Sequence, residues 1–239
     1  MESKSISDII SHGAYDLGIK LPPSAICGFE AYFDLLEKRG RDVNLTAITG
    51  AADVARLHFL DSLALLNSTD LASKRVIDVG SGAGFPGVPL KLAESSIELT
   101  LLDSSGKRIS FLTELCTLLG LDVDCVQARA EDFAHDPNAR ELWDVAVSRG
   151  VSRLNMLCEL CLPFVRIGGK FIAMKSIDSD DEISESTPAF SSLGSEYEGV
   201  YDYAIPGTDI MRRAVIIRKV SLTPTKYPRR FARIQKSPL

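Results

Sequence analysis

From Lys74 onward, short apolar runs alternate with stretches of helical spacing, and this rhythm limits the fold more than any other feature of the chain. The runs are RVIDV, IELTLLD, DVDCVQA, WDVAVS and GGKFIAMKS. Helical stretches run from Pro86 to Ala93, Gly106 to Leu119 and Val151 to Phe164, with a loop after the third run. Strands that alternate with helices pair in parallel through right-handed crossovers, so the class is α/β. The rhythm breaks near the end. There YEGVYDYAI and RRAVIIRKV are joined by Pro206-Gly207-Thr208-Asp209, which predicts an antiparallel hairpin closing the sheet.

Nothing before Lys74 reads as a strand. Residues 1–70 form a helical N-terminal extension, and residues 71–239 form the main domain with its tail. Ser24 is placed to cap a helix carrying Ile26, Phe29, Phe33 and Leu36. The polar stretch KRGRDVNLTAITG breaks that helix before ADVARLHFLDSLALL begins another. The run Asp178 to Ser186, rich in acids and serines, predicts a solvated helix face.

Composition narrows the setting. No apolar run approaches the ~20 residues needed to cross a bilayer, so no membrane is involved. The first ten residues lack the apolar core of a signal peptide, which predicts a cytoplasmic chain. Five cysteines, an odd number spread along 239 residues, predict reduced thiols. Nothing points to an obligate protein partner. Charge is unevenly spread: Ile210 to Leu239 holds nine Lys and Arg and no acid, so a net charge of −5 leaves −14 on residues 1–209. A basic tail on an acidic body suits a polyanionic partner met at one edge.

The turn after the first run satisfies two fingerprints. Gly82-Ala-Gly84-Phe-Pro-Gly87 spells the dinucleotide pattern G-x-G-x-x-G, and Asp78-Val-Gly80-Ser-Gly82-Ala-Gly84 spells the acidic-x-G-x-G-x-G pattern of S-adenosylmethionine sites. Glycines turn the chain sharply and let a ligand approach the backbone. Asp78, inside the strand, belongs to the second pattern and is not needed by a nucleotide dehydrogenase. Asp103 ends the next run, 19 positions after Gly84, where a carboxylate meets a ribose in either reading. Glu131 follows the third run, where methyltransferases contact adenine. No Tyr-x-x-x-Lys occurs, which removes one large group of NAD(P) enzymes. These features favour S-adenosylmethionine, with Asp78, Gly80, Ser81, Gly82, Gly84, Phe85, Asp103, Ser104, Ala130 and Glu131 as candidate cofactor residues.

NLTAI (44–48), HFLDSL (58–63), DVGSGAGFPGVPL (78–90), DSSGKRISFL (103–112), ARAEDF (128–133), SRG (148–150) and KYPRR (226–230) stand in the order of one family. From about Leu35 onward the chain resembles the bacterial small-subunit ribosomal RNA methyltransferase G family, also called glucose-inhibited division protein B. The resemblance implies a Rossmann-like S-adenosylmethionine-dependent methyltransferase fold and methylation of guanine N7 in 16S ribosomal RNA, with the rRNA or the small subunit as partner. It implies that Gly80, Phe85, Ala130, Glu131 and Arg149 hold the cofactor, and it turns His58 and Asp61 toward the RNA. The chain departs from the family at Arg39-Gly40, where Trp-Asn is usual, at Gly150, where Ala is usual, and at Ala232 and Ile234 in the tail.

Guanine N7 carries an unprotonated lone pair, so the implied reaction needs proximity and orientation rather than a general base. Ser148-Arg149-Gly150 stands where an exocyclic-amine methylase carries Asp/Asn-Pro-Pro-aromatic. Cys158 and Cys161 fall in an apolar helical stretch without a second pair, so neither a zinc site nor a nucleophile is expected. Arg149 ends a parallel strand, at the edge where open sheets bind ligands, and is the candidate catalytic residue. It is assigned to the cofactor carboxylate, an RNA phosphate or guanine O6, with an ion pair to Asp78 or Glu131 as the structural alternative. Lys226, Arg229 and Arg230 are the candidate phosphate contacts, with Tyr227 and Phe231 between them to stack on unpaired bases. The competing functions are an NAD(P)-dependent oxidoreductase and a non-catalytic rRNA-binding assembly factor.

Overall fold

The five expected parallel runs form β1 (Arg75–Val79), β2 (Glu98–Asp103), β3 (Val123–Gln127), β4 (Trp143–Arg149) and β5 (Val165–Ser176) in a computed structural model. The structure describes residues 5–43 and 45–239, with backbone alone at 40–43; Asn44 of NLTAI lies outside the described residues. Two further strands, β6 (Ser195–Ala204) and β7 (Met211–Lys219), complete a seven-stranded sheet in the order β3-β2-β1-β4-β5-β7-β6. The terminal pair is the expected antiparallel hairpin. Its second strand inserts against β5, which leaves β6 at the edge.

Side chains alternate across the pleat, so each strand feeds two cores. Val76, Leu99, Leu101, Val145 and Ile172 point to one face, where they meet Phe29, Tyr32, Phe59 and Leu60 of the N-terminal helices. Ile77, Leu102, Ala146, Phe171 and Ile217 point to the other, where they meet the helix Leu154–Cys161 and the tail residues Tyr227 and Ile234. The N-terminal helices therefore build a layer of the sheet's own core. The central strands are apolar on both sides, as parallel strands covered by two layers must be.

Four local expectations are corrected. The helix Pro23–Val43 begins one residue before Ser24, with Pro23 in its first position, where a missing N–H costs little. It also runs through Lys38–Val43, where a break was expected. Glu37, Lys38 and Arg39 end the apolar stripe yet are good helix formers, and Arg39 ties the turn to Glu114 at 2.6 Å. The loop after β3 contains a short helix, Ala130–Phe133. The acidic run forms the helix Asp180–Glu185, but Glu182 accepts from Lys175 Nζ at 2.8 Å and from the Leu154 N–H, so this face is not simply solvated.

The second N-terminal helical stretch is irregular. Ala51–Val54 leads into a π-helical segment, Ala55–Leu60, then Asp61–Leu63 and a 3-10 turn, Ala64–Asn67. Such wide turns are rare and cluster at functional sites. This one carries His58.

Candidate active site

β1 is the strand from which the parallel order runs both ways, to β2 and to β4. Open α/β sheets bind ligands at the carboxyl ends of strands at that point. A cleft of about 500 Å³ opens there. Its walls include Gly80, Ser81, Gly82 and Phe85 after β1, Asp103 and Ser104 after β2, Ala130 and Glu131 after β3, and Arg149 at the end of β4. Asp103 braces the glycine turn: its Oδ2 accepts the Gly82 N–H at 3.0 Å and its Oδ1 accepts the Ser105 N–H at 2.8 Å. Arg129 Nε donates to Glu131 Oε1 at 2.6 Å.

The glycines do different work. Gly82 has φ +59°, and a Cβ added there would find no atom nearer than the Gly80 carbonyl oxygen at 3.9 Å, so this position faces open cleft. Gly84 has φ +102° and does not line the cleft. A Cβ there would stand 2.7 Å from Tyr32 Oη and 2.9 Å from Val88, so the glycine lets the N-terminal layer close on the turn. Tyr32 Oη donates to the neighbouring Ala83 carbonyl. Asp78 is also below the cleft and fully buried. Its Oδ2 accepts the Gly87 N–H at 2.8 Å, while its Oδ1 meets no donor among the described residues. Burial pushes this carboxyl up to about 7, against the opposing pull of the Gly87 bond and Arg149.

A second cleft, of about 380 Å³, adjoins the first and shares His58, Arg149 and Gly150 with it. Asp61, Ser152, Met174, Lys175 and Arg212 are among its other walls. Arg149 is the centre of the shared wall. Its Nη1 donates to Asp61 Oδ2 at 3.0 Å and to the Leu57 carbonyl at 3.1 Å, and its guanidinium lies 4.9 Å from the Phe85 ring centre. Tyr203 from β6 donates to the other Asp61 oxygen at 2.8 Å. Arg149 Nη2 also lies 2.9 Å from His58 Nδ1. The Leu57 carbonyl also lies 3.1 Å from Nδ1, but a guanidinium only donates, so Nδ1 accepts from Arg149 rather than donating to Leu57, and Nε2 carries the proton, directed at Thr46 Oγ1 at 2.7 Å. Burial, then the Arg149 charge, hold His58 down at about 3, so the ring is neutral. The Nε–H and one Nη2–H of Arg149 have no acceptor among the described residues.

Comparison with known proteins bears on what these clefts belong to. The family model described as rRNA small subunit methyltransferase G matches residues 26–206. The chain belongs to that family. A relative named ribosomal RNA small subunit methyltransferase G from Alkaliphilus oremlandii is 45% identical over 98% of this chain and 99% of its own. One of the same name from Thermoanaerobacter sp. strain X514 is 43% identical over all of both chains. Among solved structures, a ribosomal protein L11 methylase from Lactobacillus delbrueckii shares the fold, with a TM-score of 0.51 at 14% identity, over 69% of this chain and 79% of that one.

The expected residues around the two clefts divide into three groups. Gly80, Ser81, Gly82, Phe85, Asp103, Ser104, Ala130, Glu131, Arg149 and His58 share the first cleft; Asp61 joins the second. Asp78 and Gly84 support the turn from below. Arg149 pairs with Asp61, not with Asp78 or Glu131, because the π-helical segment brings Asp61 across from the N-terminal layer. The tail reading is corrected at two residues. Arg229 does not face outward: it donates to the fully buried Glu159 through Nε at 2.8 Å and Nη2 at 2.6 Å. Tyr227 is buried, whereas Lys226 and Arg230 are exposed. Cys158 and Cys161 are buried thiols pushed upward by burial.

Sequence reasoning missed Thr46, Arg108, Arg129, Tyr203, Lys175 and Arg212. Thr46 stood inside NLTAI and Arg129 inside ARAEDF. Tyr203 carried no signal, because only the sheet order brings the hairpin to Asp61.

Proposed function

We propose that this protein transfers a methyl group from S-adenosylmethionine to N7 of a guanine in 16S ribosomal RNA, acting in the cytoplasm on the rRNA or the small subunit. The observation that carries this reading is the pair of adjoining clefts, about 500 and 380 Å³, with Arg149 in their shared wall, in a chain of this family. The larger suits a nucleoside-sized ligand. S-adenosylmethionine supplies an electrophilic methyl group on a sulfonium centre. The residues fit it: Gly82 leaves its turn open to the cleft, Asp103 presents a carboxylate for ribose hydroxyls, and Glu131 stands at the end expected to take adenine.

The second cleft takes the target base. Guanine N7 already holds its lone pair, so no residue needs to remove a proton. His58 fits that requirement: both its nitrogens are held by Thr46 and Arg149, and it forms wall rather than base. A bare cation beside N7 would oppose the positive charge that methylation places on the base. Asp61 offsets Arg149 at 3.0 Å, so the wall orients without repelling. The free Nε–H and Nη2–H of Arg149 suit guanine O6, a phosphate or the cofactor carboxylate.

The test is mass-spectrometric mapping of nucleosides in small-subunit rRNA incubated with and without the protein and S-adenosylmethionine. One 7-methylguanosine, dependent on both, is expected. RNA bound without a methyl group would make the protein an assembly factor instead, and nicotinamide-dependent hydride transfer would overturn the cofactor.

A further inference from the structure

The C-terminal tail does not leave the body. After β7, the Thr223 N–H reaches Glu141 at 2.7 Å, and Arg140 gathers the Thr223 and Tyr227 carbonyls at 2.7 and 3.0 Å. His135 Nε2 meets the Pro228 carbonyl at 2.8 Å, and Arg229 seals onto Glu159. These contacts deliver Phe231, the first residue of the helix Phe231–Lys236, to the wall of the larger cleft beside Ala128–Glu131. Ile234, one turn on, is buried and anchors that helix from below.

The ring is placed for a flat partner. Arg129 lies over it at 5.4 Å and is held in orientation by Glu131. Phe85, the other phenyl ring in the lining, is already engaged by His58 at 4.4 Å, Tyr32 at 5.3 Å and Arg149 at 4.9 Å. Phe231 is half-buried, and among the described residues no ring stacks on it. Ala128 and Ala130, with short side chains, line the same cleft of about 500 Å³. We propose that Phe231 packs against the adenine of the cofactor, so that the tail completes the cofactor cleft and cofactor binding is linked to tail docking. The proposal rests on the reading of the larger cleft as the S-adenosylmethionine site. It moves Phe231 from the RNA to the cofactor. Linkage is reciprocal: a ligand that needs the docked tail must stabilise it.

The experiment is calorimetric titration of adenosine and of S-adenosylmethionine into the full chain and its Phe231→Ala and Phe231→Trp variants. A base–aromatic contact sets the expected scale: alanine raises both dissociation constants by about 10-fold, and tryptophan restores them to within about threefold of wild type. Should the alanine variant lose its fold, Phe231→Leu keeps the packing, removes the flat face and is expected to lose affinity equally. The linkage predicts that S-adenosylmethionine slows trypsin cleavage after Arg230 and Arg233 in the wild type and not in Phe231→Ala. Equal adenosine affinity in wild type and in the folded variant overturns the proposal while the cofactor reading stands. A wild type that binds neither ligand removes both.

Discussion

Arg149 shows how one side chain is fixed by several elements. It leaves β4, is 17% exposed, and meets partners from the π-helical segment and, through Asp61, from β6. Arg149→Ala would leave Asp61 buried with Tyr203 as its remaining donor. A stranded buried charge costs ~3 kcal/mol, so the variant is expected to lose that much stability in urea unfolding and at least ~100-fold in methylation rate. Arg149→Lys should recover little of either, because one ammonium cannot reproduce the fork. An unchanged rate in Arg149→Ala would leave the residue a purely structural role. Asp78 gives a second test. Its folded pKa of about 7 lies above the unfolded carboxylate value, so between ~4 and 7 the folded state binds the extra proton and stability from this group falls as pH rises. Asp78→Asn removes that slope. The variant should gain on wild type in melting temperature between pH 5 and pH 8; parallel curves would refute the assignment.

At the scale of elements, the glycine turn is clamped from one side by the helix Pro23–Val43. Gly84→Ala meets Tyr32 and Val88 at φ +102°, which predicts a loss of ~2 kcal/mol from strain and crowding. Tyr32→Phe removes the nearest atom as well as a hydrogen bond to Ala83, so the two losses should not add. A double-mutant cycle in urea measures the coupling, and strict additivity would mean that the helix and turn do not touch as described. The glycines of the turn were legible in the sequence, but not their separate duties. A pattern of identical residues says where the chain must bend, and only packing says what fills the space left by each missing side chain.

For the whole molecule, the acidic body and basic tail remain a feature of charge distribution, now divided between docking and display. Arg229→Ala leaves Glu159, which is 0% exposed, with the residue 229 N–H at 2.7 Å as its remaining donor and no cation, and should cost ~3 kcal/mol and lower the melting temperature. Lys226→Ala with Arg230→Ala removes exposed cations and should leave melting nearly unchanged. On the rRNA reading, the pair lowers RNA affinity and makes its salt dependence shallower by at most about one unit of log–log slope per lost phosphate contact. Equal melting losses in both variants would mean that all three cations are structural.

The order of strands and crossovers, the position of the glycine turn and the carboxylates that follow successive strands were all readable along the chain. Each depends on local rules: a period of two or 3.6, a breaker, an acid at a strand end. The pairing of Arg149 with Asp61, the neutral state of His58 and the burial of Tyr227 were not readable. Arg149 meets Asp61 and His58 across 88 and 91 positions, and Tyr203 meets Asp61 across 142, only because β7 inserts beside β5 and the N-terminal helices cover one face of the sheet; Tyr227 is buried on the other face. Periodicity tells which face of an element is apolar; it does not tell which other element will cover it. That choice is made by packing, and it places Arg229 inward on Glu159 while Lys226 and Arg230, of the same charge and three positions away or one, stay in solvent.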